Sequence, residues 1–429
     1  MSSNRIPFFF CHNLAAPVTL GLSLAVALPA AGATDAAVTA INKLGVDLLH
    51  QVGKPDANTL ISPYSIQSAL AMAYAGADGA TRTEMARVLH YPNDGAALDR
   101  SFAELRESLK ELVQASAERA RRERGYGVTN DPVIFAVANR LFGQSGYDFR
   151  EPFQALMKDT YAAPFEALDF VKNPGAAARH INGWVEAQTM QRIRNLIPES
   201  ALNDLTRLVL VNALYLKAHW VEPFQDSATK PGPFHVKGGM ITEVPMMMQR
   251  HELPYAEGDS FAALELLLGY DHLRFLILLP KRVDGLASVE GGLSSDVIAG
   301  KLKWEERDVT LYLPRFKLEP PTLPLGAALQ ALGMKSAFDI PRGSANFGRI
   351  APRRPPDYLS ISDVFHKPFL NLDEKGVEAA AATALHFGTW GIHEPAKPVE
   401  MRVDHPFLFA ILHAPSGACL LLGRVTDPR

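Results

Sequence analysis

The sequence predicts a mixed α+β fold in which helices precede sheets rich in antiparallel strands. In the first half, apolar residues recur at the helical spacing of three and four, as from Leu98 to Leu112. In the second half they alternate or run together as strands do, for example at residues 309–313 and 275–279. This change of period along the chain places helices first and strands later.

Two helices of the first half have explicit sequence signals. Ser62 followed by Pro63 is typical of a helix N-terminus, where serine caps the first turn and proline suits the first helical position. Apolar residues continue this helix until Gly76 and Gly79 end it. A second, amphipathic helix is predicted over residues 98–112.

The predicted strands differ in how strongly they are buried. Residues 133–141 and 208–216 are apolar enough to be central strands of a large sheet. Residues 407–412 and 419–422 form a predicted hairpin, because the turn-forming residues 415–417 join them.

Length and composition indicate a large globular protein. The chain has 429 residues, of which 47% are hydrophobic and 21% charged. That balance excludes a disordered, collagen-like or multi-span membrane protein. The formal charge of -3 gives no global basic field, so we expect no nucleic-acid partner. Because no stretch resembles a linker, one domain is the simplest organisation.

The N-terminus resembles a secretory signal peptide. Arg5 is the only charged residue before Asp35, and an uncharged stretch over residues 14–28 leads to Ala-Gly-Ala ending at Ala33. We expect cleavage after Ala33, a mature domain over residues 34–429, a secreted or periplasmic location and no membrane attachment after processing. The alternative, an uncleaved anchor, fits less well because the apolar run is short and is interrupted by Pro17 and Pro29.

The sequence lacks the signatures of common enzymes and metal sites. Its two cysteines, Cys11 and Cys419, have neither zinc-ligand nor redox spacing. The motifs of α/β-hydrolases, zinc proteases, P-loops and dinucleotide-binding folds are all missing. Three methionines at 246–248 have no Cys or His at ligand spacing, so we interpret them as core packing. We therefore predict no enzymatic activity, no metal and no cofactor.

An alanine-rich segment over residues 373–390 is compatible with two structures. Read with a period of two, one face consists of small or apolar residues, which include Val377, Ala379, Ala381 and Thr383. The segment could therefore lie exposed as a loop or enter a sheet as an extra strand without burying a charge on that face. A plain exposed helix over residues 377–385 is the alternative.

The same segment resembles the hinge of the reactive loop of the serpins, and the resemblance extends over nearly the whole mature chain. Glu-Lys-Gly-Val-Glu-Ala-Ala-Ala-Ala-Thr at residues 374–383 matches the hinge. Further matching blocks follow in serpin order at residues 58–66, 76–81, 212–220, 244–247, 313–316, 332–334, 361–367, 404–409 and 423–428.

The resemblance implies a serpin fold with three β-sheets, eight or nine helices and an exposed reactive-centre loop at about residues 374–400. It also implies a metastable monomer whose partner is a target serine protease. The protease cleaves the loop, and insertion of the loop into the main sheet traps the acyl-enzyme. Small hinge residues favour this inhibitory activity; a non-inhibitory carrier or chaperone is the alternative. The hinge residues implied are Glu374, Gly376, Val377, Ala379, Ala381 and Thr383.

The resemblance also assigns a polar cluster beneath the centre of the main sheet, where strands must part. Its members are Ser62, Ser65, Asn212 and His366. The sequence supports a role for Asn212, because it is a polar residue in an apolar strand and needs a hydrogen-bonding partner. We expect His366 to be that partner.

A second group lies at the top of the sheet, where insertion begins. It pairs Arg315 with Glu374, and Trp220 lies nearby in the family pattern. The alternative is a plain surface ion pair, which contributes little to stability.

The reactive bond is predicted between Trp390 and Gly391, because the serpin pattern cuts after the seventeenth residue counted from Glu374. An aromatic residue before the bond fits a chymotrypsin-like pocket. A shift in alignment would give Thr389, which suits an elastase-like pocket, or Phe387.

A helix that ends near residue 124 matches the one that binds heparin in some serpins. Its last turns contain four arginines, at positions 119, 121, 122 and 124. Glu118 and Glu123 reduce the local charge. We therefore expect a solvated helix end and no glycosaminoglycan binding.

Overall fold

The computed structural model describes residues 35–52, 54, 56–127, 129–236, 239–378 and 398–429. Nine α-helices are formed by these residues. They are α1 (Asp35–Gln51), α2 (Pro63–Gly76), α3 (Gly79–Val88), α4 (Gly95–Arg124), α5 (Glu151–Asp159), α6 (Pro174–Gln188), α7 (Leu286–Gly291), α8 (Ser295–Ile298) and α9 (Gly326–Ala331).

The described residues also form seventeen β-strands. They are β1 (Thr59–Ile61), β2 (Ile134–Gln144), β3 (Phe165–Leu168), β4 (Leu208–His219), β5 (Lys230–His235), β6 (Ile241–Glu257), β7 (Phe261–Leu268), β8 (Leu273–Pro280), β9 (Glu305–Pro314), β10 (Phe316–Leu318), β11 (Leu323–Pro324), β12 (Phe365–His366), β13 (Leu370–Asp373), β14 (Gly376–Val377), β15 (Val399–Arg402), β16 (Phe407–His413) and β17 (Ala418–Val425).

These strands belong to three sheets, which confirms the predicted α+β class. A nine-stranded sheet has the order β1-β17-β16-β8-β7-β6-β9-β15, with β5 paired to β6. A six-stranded sheet has the order β10-β13-β14-β4-β2-β3, and β11 pairs with β12. The first six helices all precede β4, so the predicted change from helices to strands is observed.

The predicted start of α2 is confirmed in detail. Ser62 has an extended backbone conformation, and its Oγ accepts a hydrogen bond from the Ser65 N–H at 3.1 Å. Pro63 occupies the first turn. The helix ends at Gly76, where a Cβ atom would lie only 2.1 Å from the Ile350 side chain. This close contact explains why glycine occupies that position.

The central strands of the nine-stranded sheet are apolar and almost entirely buried. Every residue of β16 and β17 is buried, and the two strands pair as the predicted antiparallel hairpin. The rings of Phe275 on β8 and Phe409 on β16 stack with centroids 5.4 Å apart. Burial of this much apolar surface is the main source of the sheet's stability.

The six-stranded sheet separates two hydrophobic cores. On β4, Leu214 and Leu216 belong to the large core that includes α2. The alternate residues Val211 and Ala213 belong to a smaller core with residues of α6. Side-chain direction along β4 therefore decides which core a residue enters.

The described residues belong to one compact unit. Among the helices of the described residues, none is long and apolar enough to cross a membrane.

Candidate functional site at the six-stranded sheet

The hinge begins inside the six-stranded sheet. Gly376 and Val377 form β14, which pairs with β13 through Leu372↔Val377 and with β4 through Val377↔Ala218. Val377 is fully buried in the large core. Our expectation of an exposed loop from about residue 374 was therefore wrong at its start, because the apolar Val377 side chain gains from burial.

Glycine is required at the first position of β14. Gly376 has φ +140°, and a Cβ atom there would lie 2.3 Å from the backbone oxygen of Ala218 and 2.7 Å from the Cα of His219. No other residue can approach β4 so closely without displacing it.

Most of the β4 edge facing β13 has no partner strand among the described residues. β4 has 12 residues and β14 has two, which pair only with Ala218 and His219. Further down, a cavity of about 90 Å³ is lined by residues of β4, such as Leu208 and Leu210, and by Ile361 and Val364. This cavity is smaller than a single residue, but the edge of β4 below Ala218 has no paired strand among the described residues.

The polar cluster under the sheet centre is present, with one change of partner. The Ser65 hydroxyl donates to Asn212 Oδ1, and the Asn212 amide donates to Asn139 Oδ1. His366 instead accepts the Ser62 N–H at Nε2, at 2.9 Å. Our expectation that His366 satisfies Asn212 was therefore wrong, because two other side chains already do.

Burial controls the chemistry of His366. The side chain is fully enclosed, and desolvation lowers its pKa from 6.5 to about 3. The neutral form is needed, since Nε2 must accept the Ser62 N–H. His366 therefore links β12 to the start of α2 as an uncharged acceptor.

The top-of-sheet residues lie together. Arg315 contacts Glu374 at 3.5 Å, and the Thr229 hydroxyl donates to Glu374 at 2.7 Å. Trp220 donates its indole N–H to the Asp373 oxygen at 2.9 Å. The Glu374 carboxylate is buried, whereas Arg315 is half exposed. A role for this group in insertion stays a prediction.

Four residues at this site were missed from the sequence. Asn139 lies directly opposite Asn212 on β2. Arg192, in the connection between α6 and β4, pairs with Glu378 at 2.9 Å. Burial and the contact with Glu378 raise the pKa of the Tyr215 hydroxyl. Only Asn139 had a local signal, as a polar residue within an apolar strand.

Several predicted residues lie outside the described residues. They are Ala379, Ala381 and Thr383 of the hinge, Trp390 and Gly391 of the reactive bond with the alternatives Phe387 and Thr389, and the predicted signal peptide at 1–33.

Within the described ranges, no group of three or more His, Cys, Asp or Glu side chains is arranged to hold a metal ion. Met246 and Met247 are buried in the large core, which agrees with their interpretation as packing residues. Burial raises the pKa of the Cys419 thiol, which therefore stays protonated and unreactive.

The arginine-rich end of α4 is exposed at Arg121, Arg122 and Arg124. Arg119 instead pairs with Glu123 at 3.1 Å and lies over the Tyr270 ring at 4.5 Å. The expected absence of glycosaminoglycan binding stays a prediction.

Comparisons with known proteins define the class of this chain. The family model described as Serpin (serine protease inhibitor) matches residues 39–428. The chain therefore belongs to the serpin family of serine protease inhibitors and is not an enzyme.

Individual relatives align with this chain over almost their full lengths. An uncharacterized serpin-like protein of Thermococcus kodakarensis is 39% identical, covering 91% of this chain and 86% of that protein. A leukocyte elastase inhibitor of Bos taurus is 34% identical, covering 87% and 94%. The solved structure of cleaved Serpin 42Da is 30% identical with a TM-score of 0.77, covering 92% and 100%.

Proposed function

We propose that this serpin is a suicide-substrate inhibitor of chymotrypsin-like serine proteases. The observation that carries the proposal is β14, a two-residue strand that starts at the hinge and lies between β4 and β13. Beyond it, most of the edge of β4 facing β13 is unpaired within the described residues. The residues that follow in the sequence, from Ala379 to Thr383, are small enough to continue the strand.

The chemical step belongs to the protease. Its serine attacks the carbonyl of Trp390, an acyl ester forms, and the peptide bond to Gly391 breaks as the new amine takes a proton from the catalytic histidine. Hydrolysis of the ester would release a cleaved serpin. Inhibition requires that the freed loop enters the sheet before water completes this second step.

The length of the loop is sufficient to move the protease across the domain. Residues 377–390 comprise 14 residues, and at about 3.3 Å per residue they would span roughly 46 Å as a strand. Insertion of a strand that pairs on both sides supplies backbone hydrogen bonds and buries the small face of the loop. Deformation of the protease's catalytic site then slows deacylation.

Specificity is assigned to Trp390. Its large apolar side chain fits a deep apolar primary pocket and has no charge to pair with the buried aspartate of a trypsin-like pocket. Thr389 and Phe387 are the alternatives if the alignment shifts.

The test is to mix the mature protein with chymotrypsin, elastase and trypsin and to look for a complex that survives SDS. We expect a complex with chymotrypsin, little with trypsin, and a released peptide that begins at Gly391. Trp390→Arg should reverse the preference between chymotrypsin and trypsin. A peptide with another N-terminus would refute the assigned bond, and the absence of any stable complex would favour the carrier or chaperone alternative.

We also propose that the protein is exported and processed after Ala33. The basis is the uncharged N-terminal stretch, which is typical of signal peptides. Mass spectrometry of the protein from its source should give a mature N-terminus at Thr34. Retention of residues 1–33 on protein in the cytoplasm would contradict this proposal.

A further inference from the structure

The first part of the connection between α6 and β4, residues 189–195, contacts both sides of the insertion site; we call it the strap. Within it, Arg192 reaches the hinge at Glu378 and hydrogen-bonds with the Tyr215 side chain of β4. The strap also accepts a hydrogen bond at the Arg194 oxygen from the Lys367 ammonium, at 2.7 Å. Lys367 lies in the segment between β12 and β13. The strap thus contacts β4, the hinge and the segment that leads into β13.

Glu378 ends β14 with a turn. Its φ of +50° is left-handed, a conformation that non-glycine residues adopt only at a cost. Its N–H donates to the Asn371 oxygen at 2.9 Å. A strand that continued from β14 would need an extended conformation at this residue. The strand therefore ends at Val377.

The carboxylate of Glu378 is held by Arg192. Arg192 Nε lies 2.9 Å from Oε1 and 3.2 Å from Oε2. The Glu378 side chain is only 6% exposed, whereas the Arg192 side chain is 51% exposed. This asymmetry matters, because removing Arg192 would leave a charge that is buried and without its cationic partner. A pair exposed on both sides would have no such effect.

The strap holds Arg192 in place through its own hydrogen bonds. The Arg192 N–H donates to the Thr189 oxygen at 2.9 Å, and the Gln191 N–H donates to the Glu186 oxygen at 2.9 Å. Met190 and Gln191 both have left-handed backbone conformations, which form the tight turn after α6. The turn therefore fixes the backbone position of Arg192, so that its reach to Glu378 does not depend on a flexible side chain alone.

We propose that Arg192 is a positioning residue. Before the loop is cleaved, it keeps β14 formed and prevents this strand from extending beyond Val377. The effect of this residue on association with a protease rests on the proposed inhibitory function. While Glu378 is held, Gly376 and Val377 stay in the sheet. Release of the hinge from the sheet would lengthen the segment that a protease can bind and speed association with the protease.

The experiment compares hydrogen exchange of the uncleaved protein in Arg192→Gln and Arg194→Gln variants. Arg194 is the matched control, because it lies in the same strap, is 63% exposed and pairs with Glu186 rather than with the hinge. The readout is the exchange rate of the peptide covering residues 371–378. Peptides from β16 and β17 serve as the internal check that the fold is intact.

We expect Arg192→Gln to exchange about tenfold faster in the hinge peptide, because the unpaired carboxylate favours opening. Arg194→Gln should stay within about twofold of the wild type. Arg192→Lys should fall between, since it retains the charge. Adding Glu378→Gln to Arg192→Gln should restore much of the protection, because no buried charge remains. A general structural role of Arg192 would not produce this rescue.

Unchanged exchange in Arg192→Gln, or an equal increase in Arg194→Gln, would overturn the inference. The same variants are then mixed with chymotrypsin, where Arg192→Gln should form complex faster than the wild type. If the wild type forms no complex, the proposed inhibitory function fails. The exchange data still decide whether Arg192 positions the hinge.

Discussion

The two large sheets of this serpin are built in different ways. In the nine-stranded sheet, β6 has 17 residues and pairs with ten residues of β9, and every residue of β16 and β17 is buried. In the six-stranded sheet, β10, β13 and β14 have three, four and two residues. A polar cluster lies beneath this second sheet at Asn212.

This difference shows where the molecule can change. The nine-stranded sheet would lose a large apolar core if its strands separated, so it behaves as a scaffold. The six-stranded sheet has few backbone pairs beside β14. Regions with few apolar contacts and short pairings open most easily.

The largest expected effect comes from a charge on the buried face of the inserting strand. Val377 faces the large core, so a strand continuing from β14 would place Thr383 on the same face and Ala382 on the opposite one. Burying an unpaired arginine costs several kcal/mol. Thr383→Arg should therefore be cleaved by the protease with a more than about tenfold lower yield of SDS-stable complex, whereas Ala382→Arg should retain more inhibition. Equal yields would refute the assigned faces.

A substitution that creates a cavity in the nine-stranded sheet should lower the stability of the protein without changing how it inhibits a protease. Phe409 is fully buried and stacks on Phe275. Phe409→Ala should lower the free energy of unfolding by about 3–5 kcal/mol, measured in urea. The ratio of trapped complex to cleaved serpin should stay near that of the wild type. A large shift in this ratio would mean that the scaffold takes part in insertion.

His366 should make the six-stranded sheet sensitive to acid. Its pKa is about 3 in the folded protein and 6.5 ordinarily, so below pH 6.5 the unfolded chain binds a proton that the folded chain does not. The free energy of unfolding therefore keeps its full value above pH 6.5 and falls as the pH decreases towards 3. The loss due to His366 reaches about 2 kcal/mol at pH 5.

The measurement is the free energy of unfolding between pH 7 and pH 4.5 for wild type and His366→Gln. The glutamine carbonyl can still accept the Ser62 N–H, but it does not titrate. Its curve should therefore be flatter by the amount that His366 contributes. His413→Gln, in the nine-stranded sheet, should flatten the curve as well, because burial lowers the pKa of His413 to about 4. An unchanged slope in His366→Gln would show that His366 is not the acid-sensitive group.

The smallest expected effect is at Arg315. It is half exposed, and Glu374 keeps its hydrogen bond from Thr229 when the arginine is removed. The Glu374 carboxylate is about as buried as that of Glu378, but its contact with Arg315 is longer, at 3.5 Å. Arg315→Ala should therefore lower the free energy of unfolding by only about 1 kcal/mol. A larger loss, or a changed rate of complex formation, would favour a specific role at the top of the sheet over a plain surface ion pair.

Local features of the fold could be predicted from the sequence because their causes are local. The Ser62 cap fixes the start of α2, and the turn after His413 fixes the β16–β17 hairpin. The apolar strands β2 and β4 were identified by composition, and the hinge by its family resemblance.

The missed features all depend on contacts distant in sequence. Arg192 and Glu378 are 186 positions apart, and no periodicity reveals their pairing. The partner of Asn212 was predicted as His366, but Ser65 and Asn139 occupy its hydrogen-bonding atoms. Register between strands decides such pairs, and a sequence pattern fixes the face of a strand but not its opposite residue.

The most direct test of the account is thermal unfolding before and after a single cut in the loop between residues 379 and 397. If the six-stranded sheet accepts the cleaved loop as a new strand, the cut protein should unfold more than about 10 °C higher than the intact protein, because many backbone hydrogen bonds and buried side chains are added. Thr383→Arg should gain much less. An unfolding temperature that stays the same or falls after cleavage would contradict insertion and, with it, the proposed mechanism of inhibition.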